Sequence, residues 1–192
     1  MSPKHRAPRA ALALTSSSES CIDSALPRHP PTKAAPSRSR RERRHRLRDT
    51  GAVKSESTSP DLVELVRRAF EHSSDRDVNA LMSVYGPDSV FDTSPLGLGV
   101  DEGQAAIRGF FEDWIGTFEE FQMEPEEILD LGGGVTLAVA LQSGRPVGGG
   151  AQVQWRYAAV SIWIDGVAAR TTNYFDIDEA RVAAERLADS RG

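Results

Sequence analysis

Residues 84–92 of this chain read VYGPDSVFD, and residues 101–107 read DEGQAAI. In the first stretch Gly86 and Pro87 end a predicted helix, because proline cannot continue one, and residues 89–92 then form a short strand that ends in Asp92. In the second stretch Asp101, followed three residues later by Gln104, predicts a capping box at the start of another helix. This order of helix, short strand and capped helix guides the interpretation of the remaining sequence.

Apolar spacing on either side of these stretches predicts a domain of mixed α+β class. Two helices, residues 60–73 and 78–85, come before the short strand, and an amphipathic third helix follows it, from about Ile107 to Phe118. The apolar period then shifts towards two, and Asp165-Gly166 is a favoured hairpin turn. The later elements are four strands and a terminal helix, predicted over residues 121–131, 135–142, 152–164, 167–177 and 178–188.

The charges divide the chain into two parts. Residues 1–54 carry 13 Lys and Arg against 4 Asp and Glu, whereas residues 55–192 carry 10 against 24. An acidic domain repels phosphates, so we expect no nucleic acid to bind there. Cys21 is the only cysteine, which excludes an intrachain disulfide and fits the cytoplasm. No apolar run is long enough to span a membrane.

The first 59 residues form a basic tail rich in Ser, Pro and Arg, for which we expect disorder, ahead of a domain at residues 60–190. Its Arg-rich stretch, residues 38–48, is typical of an arm that contacts nucleic acid or an acidic partner. The alternative is an inert tail, or a translation start placed too early, with the true start near Val53.

Residues 84–92, residues 101–107 and the run Asn173-Tyr174-Phe175-Asp176 together resemble the SnoaL-like branch of the nuclear transport factor two superfamily. The resemblance implies a cone of curved antiparallel sheet around a pocket, with three N-terminal helices and a C-terminal helix. It also implies a range of activities, since the fold hosts isomerases, cyclases, epoxide hydrolases and binding modules. The fold is therefore predicted more sharply than the activity.

Asp92 is the candidate catalytic residue, because the resemblance extends to ketosteroid isomerase, where a base carboxylate ends the equivalent stretch. A carboxyl group in an apolar pocket is suited to proton transfer, since desolvation raises its pKa. The alternative is that Asp92 caps the turn that follows it.

Other positions depart from the enzymes of this fold. The isomerase's oxyanion tyrosine falls at Ala69 and its oxyanion acid near Ala158, so both donors are missing. The catalytic acid of limonene epoxide hydrolase becomes Asn173, and Ala138 and Ala140 replace its Arg and Asp. Neither named activity passes this residue-by-residue comparison.

Four residues are candidates for ligand binding: Tyr85, Trp114, Arg156 and Asn173. Arg156 is suited to neutralise an anionic substrate or to pair with Asp92, and the alternative is a structural pair with a neighbouring acid. Trp114 has the alternative of a place in the core or at a dimer face. His72 is the only histidine of the domain, so we expect no metal site and no cofactor.

The sequence therefore predicts that the cone binds a small apolar or polycyclic molecule, with Asp92 providing acid–base chemistry of isomerase, cyclase or hydrolase type. The alternative is a non-catalytic dimerisation or partner-binding module whose cone is filled by side chains. A large pocket converging on Asp92 would favour the first. A homodimer is also predicted, because Trp155, Tyr157 and Trp163 lie on one side of a single strand and are too large to leave in water.

Overall fold

The computed structural model describes residues 61–192, so the predictions for the tail lie outside the described residues. The helices are α1 (Leu62–Ser74), α2 (Val78–Leu81), α3 (Gln104–Gly116) and α4 (Ile177–Arg191). The strands are β1 (Val90–Asp92), β2 (Val100–Glu102), β3 (Phe118–Gly132), β4 (Val135–Pro146), β5 (Val153–Ile164) and β6 (Val167–Tyr174). The prediction of a mixed α+β domain with a curved sheet and a C-terminal helix is confirmed.

The strands form one sheet in the order β2-β1-β6-β5-β4-β3. All neighbours are antiparallel except β1 and β6, which run parallel with Phe91 opposite Thr171. The prediction of an antiparallel sheet was wrong for this pair, because a parallel pair joins segments distant in sequence and has no local turn signal. Irregular pairing along β3 bends this edge strand.

Of two features predicted from local sequence, the hairpin turn is present and the capping box is not. Asp165 and Gly166 join β5 to β6 with φ angles of 51° and 78°, which suits the two-residue hairpin predicted from them. At the start of α3 the predicted capping box is absent, since Gly103 precedes the helix without a side-chain cap. Gln104 Nε2 instead donates to the carbonyl oxygens of Met82 and Tyr85, at 3.0 and 2.7 Å, and so ties α3 to the segment that carries Tyr85.

The sheet has two buried faces, which we call inner and outer. On the inner face Ala138, Ala140 and Tyr157 pack with side chains of α1 and α3, such as Phe70 and Phe111. On the outer face the alternate residues of the same strands pack against α4, where Ala180 and Ala184 are fully buried. Because neighbouring residues of a strand point to opposite faces, each strand supplies both cores.

The three aromatic residues that suggested a dimer lie on the inner face. Trp163 and Tyr157 are buried in the core there, and the ring of Trp155 lies 5.9 Å from that of Trp114. These side chains are therefore covered by the domain's own helices and do not form the exposed apolar stripe that the argument required. Homodimerisation stays a prediction without support from these residues, and light scattering measures it.

Candidate functional site

A cavity of about 290 Å³, which we call the outer chamber, lies between the inner face and α3. Six aromatic residues contribute to its wall: Phe91, Phe110, Trp114, Trp155, Tyr157 and Phe175. Phe175 and Gln154, which also line it, are exposed to solvent, so the chamber opens to the surface at this end. Aliphatic side chains of β3, of β5 and of the loop after β1 complete the wall.

The aromatic wall is built by α3 and by two central strands. Phe110 and Trp114 are four residues apart on α3 and therefore lie on the same side of the helix, where their rings stack at 5.9 Å with an interplanar angle of 9°. Trp155 on β5 meets Trp114 edge to face, and Phe91 on β1 lies 5.1 Å from Phe110. Such mutual packing fixes the rings and gives the chamber flat apolar walls.

Gln142 is the most buried polar group in this wall. It lies on β4, is 2% exposed, and its Oε1 accepts a hydrogen bond of 3.3 Å from Trp114 Nε1. Its Nε2 has no hydrogen-bond partner although it is fully buried. Buried donors are nearly always paired in proteins, so this unpaired nitrogen is an exception among the polar groups of the wall.

A smaller inner chamber of about 70 Å³ lies next to the outer one. Four residues line both: Phe91, Met123, Tyr157 and Asn173. Its wall is mostly apolar but includes several hydroxyl groups, of which those of Ser161 and Thr171 are hydrogen-bonded to each other at 2.9 Å. Both chambers are therefore mostly apolar, and the inner one also has hydroxyl groups in its wall.

Tyr85 and Tyr157 keep their protons under physiological conditions. Burial raises the pKa of Tyr85 well above its usual range, and a hydrogen bond from Thr171 opposes the effect only partly. Burial also raises the pKa of Tyr157, and the nearby Tyr85 adds to the shift. The Tyr157 hydroxyl has only a weak acceptor, Met123 Sδ at 4.0 Å, so it remains a neutral donor at the boundary of the chambers.

Charged groups are missing from the wall of the outer chamber. None of its described lining residues carries a carboxylate, an imidazole, an ammonium or a guanidinium group. Within residues 61–192 no group of three or more His, Cys, Asp or Glu is placed to hold a metal ion. No helix in the same range is long and apolar enough to cross a membrane.

Asp92 lies outside this cavity. On β1 the preceding residue, Phe91, faces the chambers, so Asp92 faces the opposite side of the sheet, where its carboxylate pairs with Arg170. Burial alone would raise the pKa of Asp92, but hydrogen bonds from Ser94 and the Arg170 guanidinium outweigh it and hold the pKa below its usual value. The structure thus gives Asp92 the features of the turn cap, and it does not bring this carboxylate to the cavity as a base.

The same contacts of Asp92 hold a loop of the cavity wall. Its Oδ1 accepts hydrogen bonds from the amide and the hydroxyl of Ser94. The loop continues through Leu96 and Leu98, which line the outer chamber, and returns to Thr93, whose amide donates to the Gly99 carbonyl at 2.8 Å. Asp92 therefore supports the wall from behind.

Arg156 also lies outside the cavity. It faces the outer side of β5, where its Nε donates to Glu126 Oε2 at 2.8 Å, which is the structural pair foreseen as the alternative. Of the predicted ligand-binding residues, Trp114 lines the outer chamber, Tyr85 the inner one and Asn173 both. The structure therefore brings three of the four candidates together and leaves Arg156 and Asp92 on the other face.

Sequence reasoning missed Gln142, Trp155 and Tyr157 as cavity residues. One signal was available: Ala138, Ala140 and Gln142 alternate on β4, and two small residues in a row on one face leave space beside the sheet. The register places Tyr157 opposite Ala140 and Trp155 opposite Gln142. The alternation by itself does not say which face is the inner one, so the signal was ambiguous.

The model of the SnoaL-like domain family matches residues 66–171, which is more than half of the 192-residue chain. The chain belongs to this family. A comparison with curated proteins gave no significant match.

Three solved structures illustrate the similarity of the fold. A protein with a ketosteroid isomerase-like fold from Catenulispora acidiphila, in complex with trimethylamine, is 16% identical, with a TM-score of 0.54 over 69% of this chain and 98% of that one. TerC, co-crystallized with polyporic acid, is 20% identical, with a TM-score of 0.52 over 66% and 97%. The epoxide hydrolase/cyclase-like enzyme SalBIII, of pyran ring formation in salinomycin, is 19% identical, with a TM-score of 0.52 over 58% and 87%. At these identities the likeness concerns the fold alone.

Proposed function

We propose that this SnoaL-like domain binds a small, flat, apolar molecule in the outer chamber. The observation that carries the proposal is an aromatic chamber of about 290 Å³ with an unpaired, buried amide in its wall. Ligand sites in proteins combine predominantly apolar walls with a few placed polar groups, which is the composition found here.

The volume of the chamber limits the size of the ligand. It is at the small end of the usual range for ligand pockets, and about twice the size of an apolar cavity that takes up benzene. One or two fused rings therefore fit the outer chamber, and a short substituent fits the inner chamber beyond Asn173 and Tyr157. The parallel aromatic planes of Phe110 and Trp114 favour a flat ring system.

Binding is better supported than acid–base catalysis by Asp92. The carboxylate faces away from the chambers and is held in its charged form by Arg170 and Ser94, whereas a general base needs contact with the substrate. The neighbours bound to polyporic acid or acting in pyran ring formation are consistent with ligands that contain rings. A catalytic role for Asp92 stays a prediction, which the variant described in the Discussion tests.

The proposal is tested by calorimetric titration with 2-naphthol as the probe. Val153 lines the chamber and is partly buried, so Val153→Trp should fill part of the space and weaken binding by about 10-fold or more. Val147 is 60% exposed and is not part of the wall, so Val147→Trp is the matched control and should bind like the wild type.

Two results would count against the proposal. Binding that is unchanged in Val153→Trp would place the probe elsewhere on the protein. Absence of binding by 2-naphthol and related two-ring compounds at millimolar concentration would favour the alternative class, a partner-binding module without a ligand.

A further inference from the structure

We infer that the inner chamber limits the length of an alkyl side chain on the bound ring, and that Ala159 is a residue that determines this specificity. The inference rests on the proposed function, which places the ring in the outer chamber. It adds the class of ligand, a flat ring with a side chain of about three carbons, and the part of the fold that selects it.

The inner chamber exists because small side chains line it. Each of α1, β4, β5 and β6 contributes an alanine to its wall: Ala69, Ala138, Ala159 and Ala168. Ala138 stands opposite Ala159 in the pairing of β4 with β5, so two methyl groups adjoin where larger side chains would meet. Space therefore remains between α1 and the sheet at this place.

Ala159 lies beside the boundary between the two chambers. The pairing of β5 with β6 places Asn173 opposite it, and Asn173 lines both chambers. Ala159 is only partly buried, although β5 runs between two other strands and helices pack on the inner face. The accessible part of its methyl group therefore faces the chamber, where a substituent of the ligand can contact it.

The serine and threonine hydroxyls of the inner chamber already take part in hydrogen bonds. Those of Ser161 and Thr171 bond to each other, Thr136 Oγ1 accepts from Trp163 Nε1 at 2.8 Å, and Ser73 Oγ donates to a main-chain carbonyl of α1 at 2.8 Å. None of the described lining residues is charged. Because these hydroxyls need no partner from the ligand, an alkyl chain fits the chamber better than a polar substituent.

The volume of the inner chamber sets the length of the chain. At about 70 Å³ it is roughly half the size of an apolar cavity that takes up benzene, so it holds about three carbon atoms. Each methylene group that moves from water into an apolar site should tighten binding by about 4-fold. Three carbons should therefore tighten binding by about 60-fold, and a longer chain should bring no further gain.

A series of 6-alkyl-2-naphthols tests the inference by calorimetric titration of the full chain. 2-Naphthol is compared with its methyl, ethyl, propyl and pentyl derivatives, which share the ring system and differ only in the length of the chain. We expect the wild type to bind the propyl compound about 60-fold more tightly than 2-naphthol. The pentyl compound should bind no more tightly than the propyl compound.

Two variants fill the inner chamber from opposite sides. Ala159→Leu fills it from β5 and should remove the dependence on chain length, so that the propyl compound and 2-naphthol bind within about 2-fold of each other. Ala69→Leu fills it from α1 and should have the same effect. Ala106→Leu is the matched control, since Ala106 is exposed on α3 and lines neither chamber, and it should keep the wild-type dependence.

The outcomes separate the two proposals. If 2-naphthol binds but affinity does not rise with chain length, or rises by about 4-fold per carbon as far as pentyl, the inference is overturned and the proposed function survives. A dependence on chain length that persists in the folded Ala159→Leu and Ala69→Leu variants overturns it as well. If no compound of the series binds, both proposals are overturned. The wild-type series requires no variant, so poor folding of a leucine variant does not prevent a decision.

Discussion

The inner and outer faces of the sheet are made by alternate residues of the same strands. They differ in whether their polar side chains find partners within the domain. On the outer face charged groups lie in ion pairs: Asp92 with Arg170, Glu126 with Arg156, and Glu127 with Arg181 of α4. The inner face has neutral groups only along its chamber, and the Gln142 amide is left unpaired there. The difference indicates that the outer face is complete within the domain, whereas the inner face is organised around a space.

A carboxylate introduced on each face in turn should give the largest difference in stability between the two faces. Ala140 is fully buried on the inner face, so Ala140→Asp introduces a carboxylate without a partner and should lower the free energy of unfolding by about 3–5 kcal/mol. The adjacent Leu141 lies on the outer face, is partly exposed and stands opposite Arg156, so Leu141→Asp should cost about 1 kcal/mol. Urea denaturation measures both, and equal losses would contradict the contrast between the faces.

The outer face depends on close contact with α4. Ala184 is fully buried against the sheet, and Ala184→Leu should overpack this contact and destabilise the domain by about 1–3 kcal/mol. Val182 is on the same helix but 45% exposed, so Val182→Leu provides a control that changes size without changing burial and should leave stability unchanged. Thermal unfolding followed by circular dichroism compares the two, and a tolerated Ala184→Leu would mean that α4 is loosely held.

The ion pair behind the cavity wall should make stability depend on pH. Because the pKa of Asp92 is lowered in the folded domain, its stabilising contribution is present above the usual Asp pKa of about 3.9 and is lost as the pH falls through the lowered folded value. Asp92→Asn should therefore cost about 1 kcal/mol near pH 7, since Arg170 is half exposed, and progressively less in acid. Urea unfolding measured across this range checks the trend, and a cost of Asp92→Asn that does not fall in acid would contradict it.

The smallest effect is expected for ligand binding when outer-face residues are changed. Asp92→Asn and Arg156→Gln should leave the affinity for 2-naphthol within about 2-fold, because both side chains face away from the chambers and asparagine keeps an Oδ1 that accepts from Ser94. Once a substrate is known, turnover by Asp92→Asn should also be close to that of the wild type. A loss of about 100-fold in turnover with the fold intact would restore Asp92 as a general base.

Asp92 and Gln142 are the two positions at which the sequence-based interpretation differs most from the structure. The sequence around Asp92 matched an enzyme motif, but the function of a carboxylate depends on the face to which it points, and here Arg170, 78 residues away, meets it on the outer face. Gln142 had no motif at all. Its place in the wall depends on Trp114, 28 residues earlier, whose indole Nε1 donates to the amide oxygen, while the amide nitrogen is buried without a hydrogen-bond partner.

Local chemistry determined the parts of this domain that the sequence predicts by itself. Gly86 and Pro87 end the second helical segment, Asp165 and Gly166 turn one strand into the next, and the period-two alternation marks the long strands, because each of these effects acts between neighbouring residues. Alternation, however, does not show which of the two faces of a strand lines the cavity. Only the packing of α1 and α3 on one side and α4 on the other, with the parallel pairing of β1 and β6, decided which residues surround the cavity and which complete the opposite surface.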